Sequence, residues 1–149
     1  MREAIALSKQ SVECGGGPFG AVIVRDGRVL ARASNSVTLL NDPTAHAEVS
    51  AIRAACASLG TFDLSGAEIY TSCEPCPMCL GAIYWAGIAK IYYGNTKGDA
   101  AEIGFDDSLI YDEIALPPLR RKVPAVELLR SEALEGFRLW TAKEDKIEY

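Results

Sequence analysis

Two short segments that carry metal-binding residue types place the strongest constraint on how this chain can fold. Residues 46–48 are His-Ala-Glu, and residues 75–79 are Pro-Cys-Pro-Met-Cys. His46 is the only histidine, and Cys76 and Cys79 are three residues apart. At the start of a helix, this spacing places both sulfurs on one face, and the positive end of the helix stabilises thiolates. A fold that uses these residues together must bring two distant segments to one point.

The three residues offer one nitrogen and two sulfurs to a metal. A tetrahedral ion held this way keeps a fourth position open for water, which is typical of catalytic zinc sites. Glu48 follows the histidine by two residues, so it can reach that water without binding the metal. The pattern predicts Zn²⁺ bound by His46, Cys76 and Cys79, with Glu48 moving protons.

The alternative is a closed structural site in which Cys73 is the fourth ligand. It would make the chain a non-catalytic, zinc-stabilised binding module that is indifferent to loss of Glu48. Cys73 precedes Glu74-Pro75, so we expect extended backbone there and a cysteine at a strand end, away from the helix face. Cys14 and Cys56 are distant in sequence, which disfavours an iron–sulfur cluster, and we predict both to be buried.

The hydrophobic pattern predicts alternating helices and strands. Asp26-Gly27 indicates a hairpin turn between two apolar runs, and Asp42-Pro43 indicates a helix start. Predicted helices cover 3–14, 44–59, 76–85 and 131–143, and predicted strands cover 21–24, 29–31, 69–71, 90–93 and 123–128. We therefore expect an α/β fold: a three-layer α-β-α sandwich whose five-stranded mixed sheet has helices on both faces. The length of 149 residues fits a single domain over 1–149.

Charge and composition narrow the class of substrate. The net charge is −5, and nucleic-acid binding usually needs basic clusters that neutralise phosphates. The one basic cluster is Arg120-Arg121-Lys122, which we interpret as a solvated loop. No apolar run is long enough to span a membrane, and no signal peptide opens the chain. We expect a cytoplasmic protein that acts on a small, polar molecule, with no nucleic-acid or membrane partner.

Longer stretches around these residues resemble the cytidine deaminase superfamily, whose zinc nucleobase deaminases carry H-x-E and P-C-x-x-C. The matching stretches are Gly17-Pro18-Phe19-Gly20-Ala21-Val22, residues 41–48 and residues 71–79. Gly104-Phe105-Asp106-Asp107-Ser108 and the terminal Tyr149 resemble, more narrowly, bacterial guanine deaminases of the small, cytidine deaminase-like type. The resemblance covers nearly the whole chain.

The resemblance implies hydrolytic deamination of guanine to xanthine and ammonia by a zinc-activated water, in purine catabolism or salvage. It gives zinc binding to His46, Cys76 and Cys79, and proton transfer to Glu48. A guanosine deaminase, or another nucleobase or nucleoside deaminase of the superfamily, is the alternative, because a ribose needs only an open pocket beside the purine.

The resemblance also implies substrate contacts. Asn35 would hydrogen-bond the purine, Phe19 would pack on it, and Asp107 would accept a hydrogen bond from a ring N–H. Ala47 would supply a backbone contact, and the Tyr149 segment would close the pocket. From residue type alone, Asn35 is a turn former, Phe19 a core residue, Asp107 a helix cap and Tyr149 a chain end. The family implies a homodimer, in which the C-terminal segment could close the partner's site.

Overall fold

A computed structural model describes residues 1–148 of the chain. These residues divide into a first unit, Met1–Asp107, and a second unit that begins at Ser108. The single domain over 1–149 stays a prediction. No helix within the described residues is long and apolar enough to cross a membrane.

The first unit carries the sheet and the helices that pack on it. Its elements are α1 (Arg2–Glu13), β1 (Gly20–Arg25), β2 (Arg28–Ser34), α2 (Val37–Leu40), α3 (Ala47–Leu59), β3 (Glu68–Cys73), α4 (Pro77–Trp85), β4 (Lys90–Asn95) and α5 (Lys97–Glu102). The strand order is β2-β1-β3-β4. β1 is antiparallel to β2 and β3, and β3 is parallel to β4. The predicted mixed sheet is confirmed.

The β1–β2 hairpin turns where the sequence predicts. Asp26 and Gly27 have φ values of 52° and 73°, which is the pair of left-handed residues that a type I′ turn requires. The register shifts between Ile23 and Val24, so a bulge lies next to the turn. The hairpin places Asn35 directly after β2, at the end of the sheet where α3 begins.

The two faces of β1 are covered by different helices. A Cβ added to Gly20 would meet α1 within 2.4 Å of the Ala4 carbonyl oxygen. The next residue, Ala21, points to the other face, because side chains alternate along a strand. There it joins a core cluster with Ala47 and Ala51 of α3. Helices therefore cover both faces of the sheet, and the predicted three-layer α/β fold is confirmed.

The second unit is helical where it is regular. It contains α6 (Ser108–Ala115), a 3₁₀ turn (Pro118–Arg120) and α7 (Arg130–Ala142). The strand predicted over 123–128 is not formed, so the described residues give four strands and not five. Val123 and Leu128 are largely exposed, and Pro124 has no N–H to donate to a neighbouring strand. No strand of the described chain pairs with this segment.

Two local predictions were wrong. Helix α3 begins at Ala47 and not near Thr44, because Asp42 closes a turn instead of capping the helix. Its Oδ1 accepts from the Thr44 backbone N–H at 2.8 Å and from the Thr44 hydroxyl at 2.7 Å. Cys14 is exposed and not buried, and Cys56 is only partly buried against the core. Cys14 is the C-cap residue of α1 and follows the last helical residue.

Candidate active site

The structure brings His46, Cys76 and Cys79 together. Nδ1 of His46 lies 3.6 Å from Sγ of Cys76 and 3.5 Å from Sγ of Cys79. Usual Zn–N and Zn–S lengths at a tetrahedral angle place nitrogen and sulfur about 3.6 Å apart. The three ligand atoms all lie within 4.8 Å of one another. Both the donor types and their spacing therefore fit Zn²⁺.

Two helix starts position these ligands. His46 is the N-cap of α3, with ψ of 154°, and Cys76 is the N-cap of α4, with ψ of 168°. Neither helix has a side-chain hydrogen bond at its cap, so no capping side chain occupies the first backbone N–H groups of either helix. Pro77 occupies the first turn of α4, where its missing N–H costs nothing. The positive ends of two helices thus favour thiolate and other anions there.

The electrostatics of the cluster favour a thiolate at Cys76. The hydrogen bond from the Cys79 thiol and the contact with His46 lower the pKa of Cys76 to about 4. The pKa of the Cys79 thiol is raised by its hydrogen bond to Cys76, by burial and by the Glu48 carboxylate. The hydrogen bond to Cys76 also raises the pKa of His46, against the effect of burial. A bound cation would displace the proton of the Cys79 thiol.

Glu48 lies in the first turn of α3 and is buried beside the cluster, with 4% of its surface exposed. Its Oε2 lies 3.4 Å from Sγ of Cys79, and its Oε1 accepts from the Thr71 hydroxyl at 2.5 Å. A carboxylate in this position is near the open side of a three-ligand site without being one of the ligands. It can take a proton from a water bound there.

Cys73 does not join the cluster. It is the last residue of β3, as its position before Glu74-Pro75 predicts, and its Sγ lies 3.6 Å from the Thr96 carbonyl oxygen. Burial raises the pKa of the Cys73 thiol to about 11, so it stays protonated at neutral pH. Among residues 1–148, the metal-binding group contains His46, Cys76 and Cys79 and no fourth ligand.

Asn35 and Phe19 lie side by side at the open end of the β1–β2 hairpin. The Asn35 backbone N–H donates to the Phe19 carbonyl oxygen at 2.9 Å. Asn35 is buried, and its Oδ1 faces the backbone N–H groups of Gly17 at 3.4 Å and Val37 at 3.3 Å. Both are long contacts, yet they direct the Asn35 oxygen into its own loop. The Nδ2 group is then the atom that can face a ligand.

Phe19 is partly a core residue, as its residue type predicts, and its packing on a purine stays a prediction. It packs against the core cluster, and its ring also meets the ring of Phe105 edge to face, with centroids 4.9 Å apart. Asp107 follows two residues later and is close enough to Cys76 for charge repulsion. Burial and that repulsion raise the pKa of the Asp107 carboxyl. The Phe-Asp-Asp segment therefore lies beside the metal cluster.

The other predicted site residues have different outcomes. Ala47 is fully buried and is the first residue of α3, so its backbone N–H belongs to the helix start at the cluster. Tyr149 lies outside the described residues, and its role stays a prediction. Thr71 and Phe105 were given no role by the sequence. A polar residue at a core-facing strand position is the signal that could have identified Thr71.

The first 95 residues match a family model described as the cytidine and deoxycytidylate deaminase zinc-binding region. This span includes the three cluster residues and Glu48. The chain belongs to the cytidine and deoxycytidylate deaminase zinc-binding family. A tRNA-specific adenosine deaminase of Agrobacterium fabrum is similar to part of it, with 53% identity over 89 residues, 58% of this chain and 59% of that protein.

One relative in this family matches the chain over its full length. The guanine deaminase of Bacillus subtilis strain 168 is 51% identical over 150 residues, which cover 100% of this chain and 96% of the relative. The X-ray structure of guanine deaminase from Bacillus subtilis superposes with a TM-score of 0.96 at 52% identity, over 99% of this chain and 95% of that one. The similarity therefore extends through the second unit, beyond the part matched by the family model.

Proposed function

We propose that the protein is a zinc-dependent aminohydrolase that converts guanine to xanthine and ammonia. The observation that carries the proposal is the buried Glu48 carboxylate beside a three-ligand His-Cys-Cys cluster. This is the arrangement that hydrolytic deamination of a nucleobase requires. The choice of guanine is supported by full-length similarity to a guanine deaminase.

In this proposal His46, Cys76 and Cys79 hold Zn²⁺, which when bound makes a water molecule acidic enough to ionise near neutral pH. Glu48 accepts the proton of the water that attacks the purine C2 carbon. It delivers this proton to the adjacent ring nitrogen. Glu48 then takes the proton of the hydroxyl newly added to C2 and gives it to the exocyclic amine, so that the C2–N bond breaks, ammonia leaves and the C2 carbonyl of xanthine forms. One carboxylate therefore acts first as base and then as acid.

The remaining site residues orient the purine. Asn35 donates from Nδ2 to an acceptor on the ring, because its Oδ1 is directed at its own loop. Asp107 accepts from a ring N–H, and the Phe19 ring packs on the base with Phe105 behind it. The backbone N–H of Ala47 is a further donor at the helix start, and Tyr149 closes the pocket.

Substrate identity is tested by an ammonia-release assay on zinc-loaded protein with guanine, guanosine, cytosine and adenine in parallel. We expect turnover with guanine that far exceeds turnover with the other three. Activity on guanosine without activity on guanine would contradict the proposal and identify a nucleoside deaminase.

We further propose that the protein is a homodimer whose C-terminal segment closes the partner's site. Large apolar side chains are exposed on both units. They include Tyr84 and Trp85 on α4, and Phe137 and Leu139 on α7. Large exposed apolar side chains are often found at protein–protein interfaces. A second copy of the chain supplies the matching apolar surface for each unit.

Mixing two inactive variants tests whether the tail acts on its partner. We expect that Glu48→Gln and Tyr149→Ala each lose activity as homodimers. A mixed dimer would pair an intact Glu48 with the intact tail of the other chain and would recover turnover at one site. If unfolding and refolding the two variants together gives dimers without recovered activity, the tail closes the site of its own chain. A monomer in sedimentation equilibrium would contradict the dimer itself.

A further inference from the structure

Thr71 is a polar residue at a position where packing alone requires none. It lies on β3 opposite Ala21 of β1 and Tyr93 of β4, and it is fully buried. The residue two positions before it on the same face, Ile69, is an apolar member of the core cluster. Valine would fill the same space, and a buried hydroxyl is unfavourable unless it has a hydrogen-bond partner.

The partner of that hydroxyl is Glu48. The Thr71 Oγ1 donates to Glu48 Oε1 at 2.5 Å. The other carboxylate oxygen, Oε2, is the one that lies 3.4 Å from the Cys79 sulfur. One carboxylate oxygen therefore bonds a hydroxyl on the sheet, and the other lies beside a metal-binding cysteine.

The anchor is rigid for two reasons. Thr71 lies on a strand bonded on both sides, to β1 and to β4. Its side chain is branched at Cβ and has few rotamers, whereas a glutamate has three side-chain torsions to fix. A carboxylate that must transfer two protons at defined atoms depends on its orientation.

We propose that Thr71 is a positioning residue for the deamination reaction. Its hydroxyl fixes Glu48 Oε1 and thereby keeps Oε2 directed at the water-binding side of the cluster. The inference rests on the proposed function, because it concerns the proton-transfer step of that reaction. It adds a residue outside both metal-binding segments to the catalytic arrangement.

The decisive variant is Thr71→Val, which removes the hydroxyl and keeps the shape. We expect it to bind the wild-type amount of zinc and to keep KM for guanine near the wild-type value. We expect kcat to fall about 10- to 100-fold, the usual effect of misplacing a catalytic group. Thr71→Ser retains the hydroxyl and should recover most of kcat. The matched control is Ser72→Ala, which removes the neighbouring buried hydroxyl bonded to the Gly20 N–H at 3.0 Å and should keep wild-type kcat.

Three further readouts separate positioning from a merely structural role. In a Glu48→Gln background, adding Thr71→Val should lower the residual kcat by a much smaller factor than in the wild type. A crystal structure of zinc-loaded Thr71→Val should show the Glu48 carboxylate turned away from its wild-type orientation. Elemental analysis reports zinc content without any assay of turnover.

The inference is overturned by wild-type kcat in Thr71→Val, by zinc loss from that variant, or by Thr71→Ser being equally slow. An equal loss in both backgrounds, or an unchanged Glu48 orientation, also overturns it. The proposed function fails separately, if zinc-loaded wild-type protein releases no ammonia from guanine. In that case the crystal structure still decides whether Thr71 positions Glu48.

Discussion

The orientation of single polar groups decides what the candidate site can recognise. Asn35 is buried, and its Oδ1 is directed at backbone N–H groups of its own loop. In the proposed complex the amide faces the ligand as a donor and not as an acceptor. The proposal therefore requires a purine that presents an acceptor to Asn35 and an N–H to Asp107.

Asn35→Asp tests this orientation, because the carboxylate keeps the oxygen that accepts from the loop and loses the donor. We expect KM for guanine to rise by about 10- to 100-fold, which corresponds to one lost and unreplaced hydrogen bond. Steady-state kinetics at saturating zinc measures the change, and elemental analysis checks that the metal remains. An unchanged KM would show that Asn35 does not donate to the substrate.

At the level of helices and strands, the site depends on where α3 and α4 begin. His46 and Cys76 are N-caps with extended backbone, and Glu48 follows within the first turn of α3. The sheet sets the position of α3, which packs on β1 through small residues such as Ala47, Ala51 and Ala21, and α4 packs against α3. On the opposite face, the close approach of α1 to Gly20 of β1 fixes the position of α1 on the sheet.

Gly20→Ala tests the packing of α1 on the sheet. The added Cβ would lie 2.4 Å from the Ala4 carbonyl oxygen and 2.7 Å from the Ser8 nitrogen, both of which are backbone atoms. We expect a loss of about 1–3 kcal/mol of unfolding free energy from overpacking, measured by urea denaturation. Gly136→Ala in α7 is the control, since its Cβ would meet nothing within 4 Å. Equal stability of Gly20→Ala and wild type would contradict the packing described.

Local patterns predicted most of these elements, and long-range contacts account for the errors. Asp26-Gly27 identifies its turn because the required backbone is local to two residues. Asp42 was misassigned because its carboxylate can accept from the N–H groups of a helix start or from the donors of the Thr44 turn, and both are compatible with the same local sequence. The apolar pattern of 123–128 does not reveal whether a strand partner exists. The alternation of inward and outward side chains along β3 places Thr71 in the core. It cannot show that Glu48 of α3 hydrogen-bonds to it.

At the level of the whole molecule, metal binding links folding, pH and activity. The three ligands come from segments that only the folded chain brings together, so the free energy of zinc binding adds to stability. The ligands must lose their protons to bind, and the hydrogen bond to Cys76 raises the pKa of His46 above its ordinary value of 6.5. Protons therefore compete with zinc for these ligands.

We expect zinc affinity to fall as the pH is lowered through the raised pKa of His46, and to be regained above it. The sign follows because the protonated imidazole cannot bind metal. Competition with a chromogenic chelator, followed from about pH 8 down to about pH 5, measures the release of zinc. Cys73→Ser should follow the same curve, because Cys73 is outside the cluster. Zinc affinity that does not change over this range would contradict the ligand set.

The most direct test of the account is ammonia release from guanine by Glu48→Gln and by wild type at equal zinc content. Glutamine keeps the size of the side chain and can still accept from the Thr71 hydroxyl, but it cannot take a proton from water. We expect the variant to bind zinc like the wild type and to lose at least about 10²-fold in kcat. Wild-type turnover by zinc-loaded Glu48→Gln would contradict the central claim that this carboxylate moves the protons of the reaction.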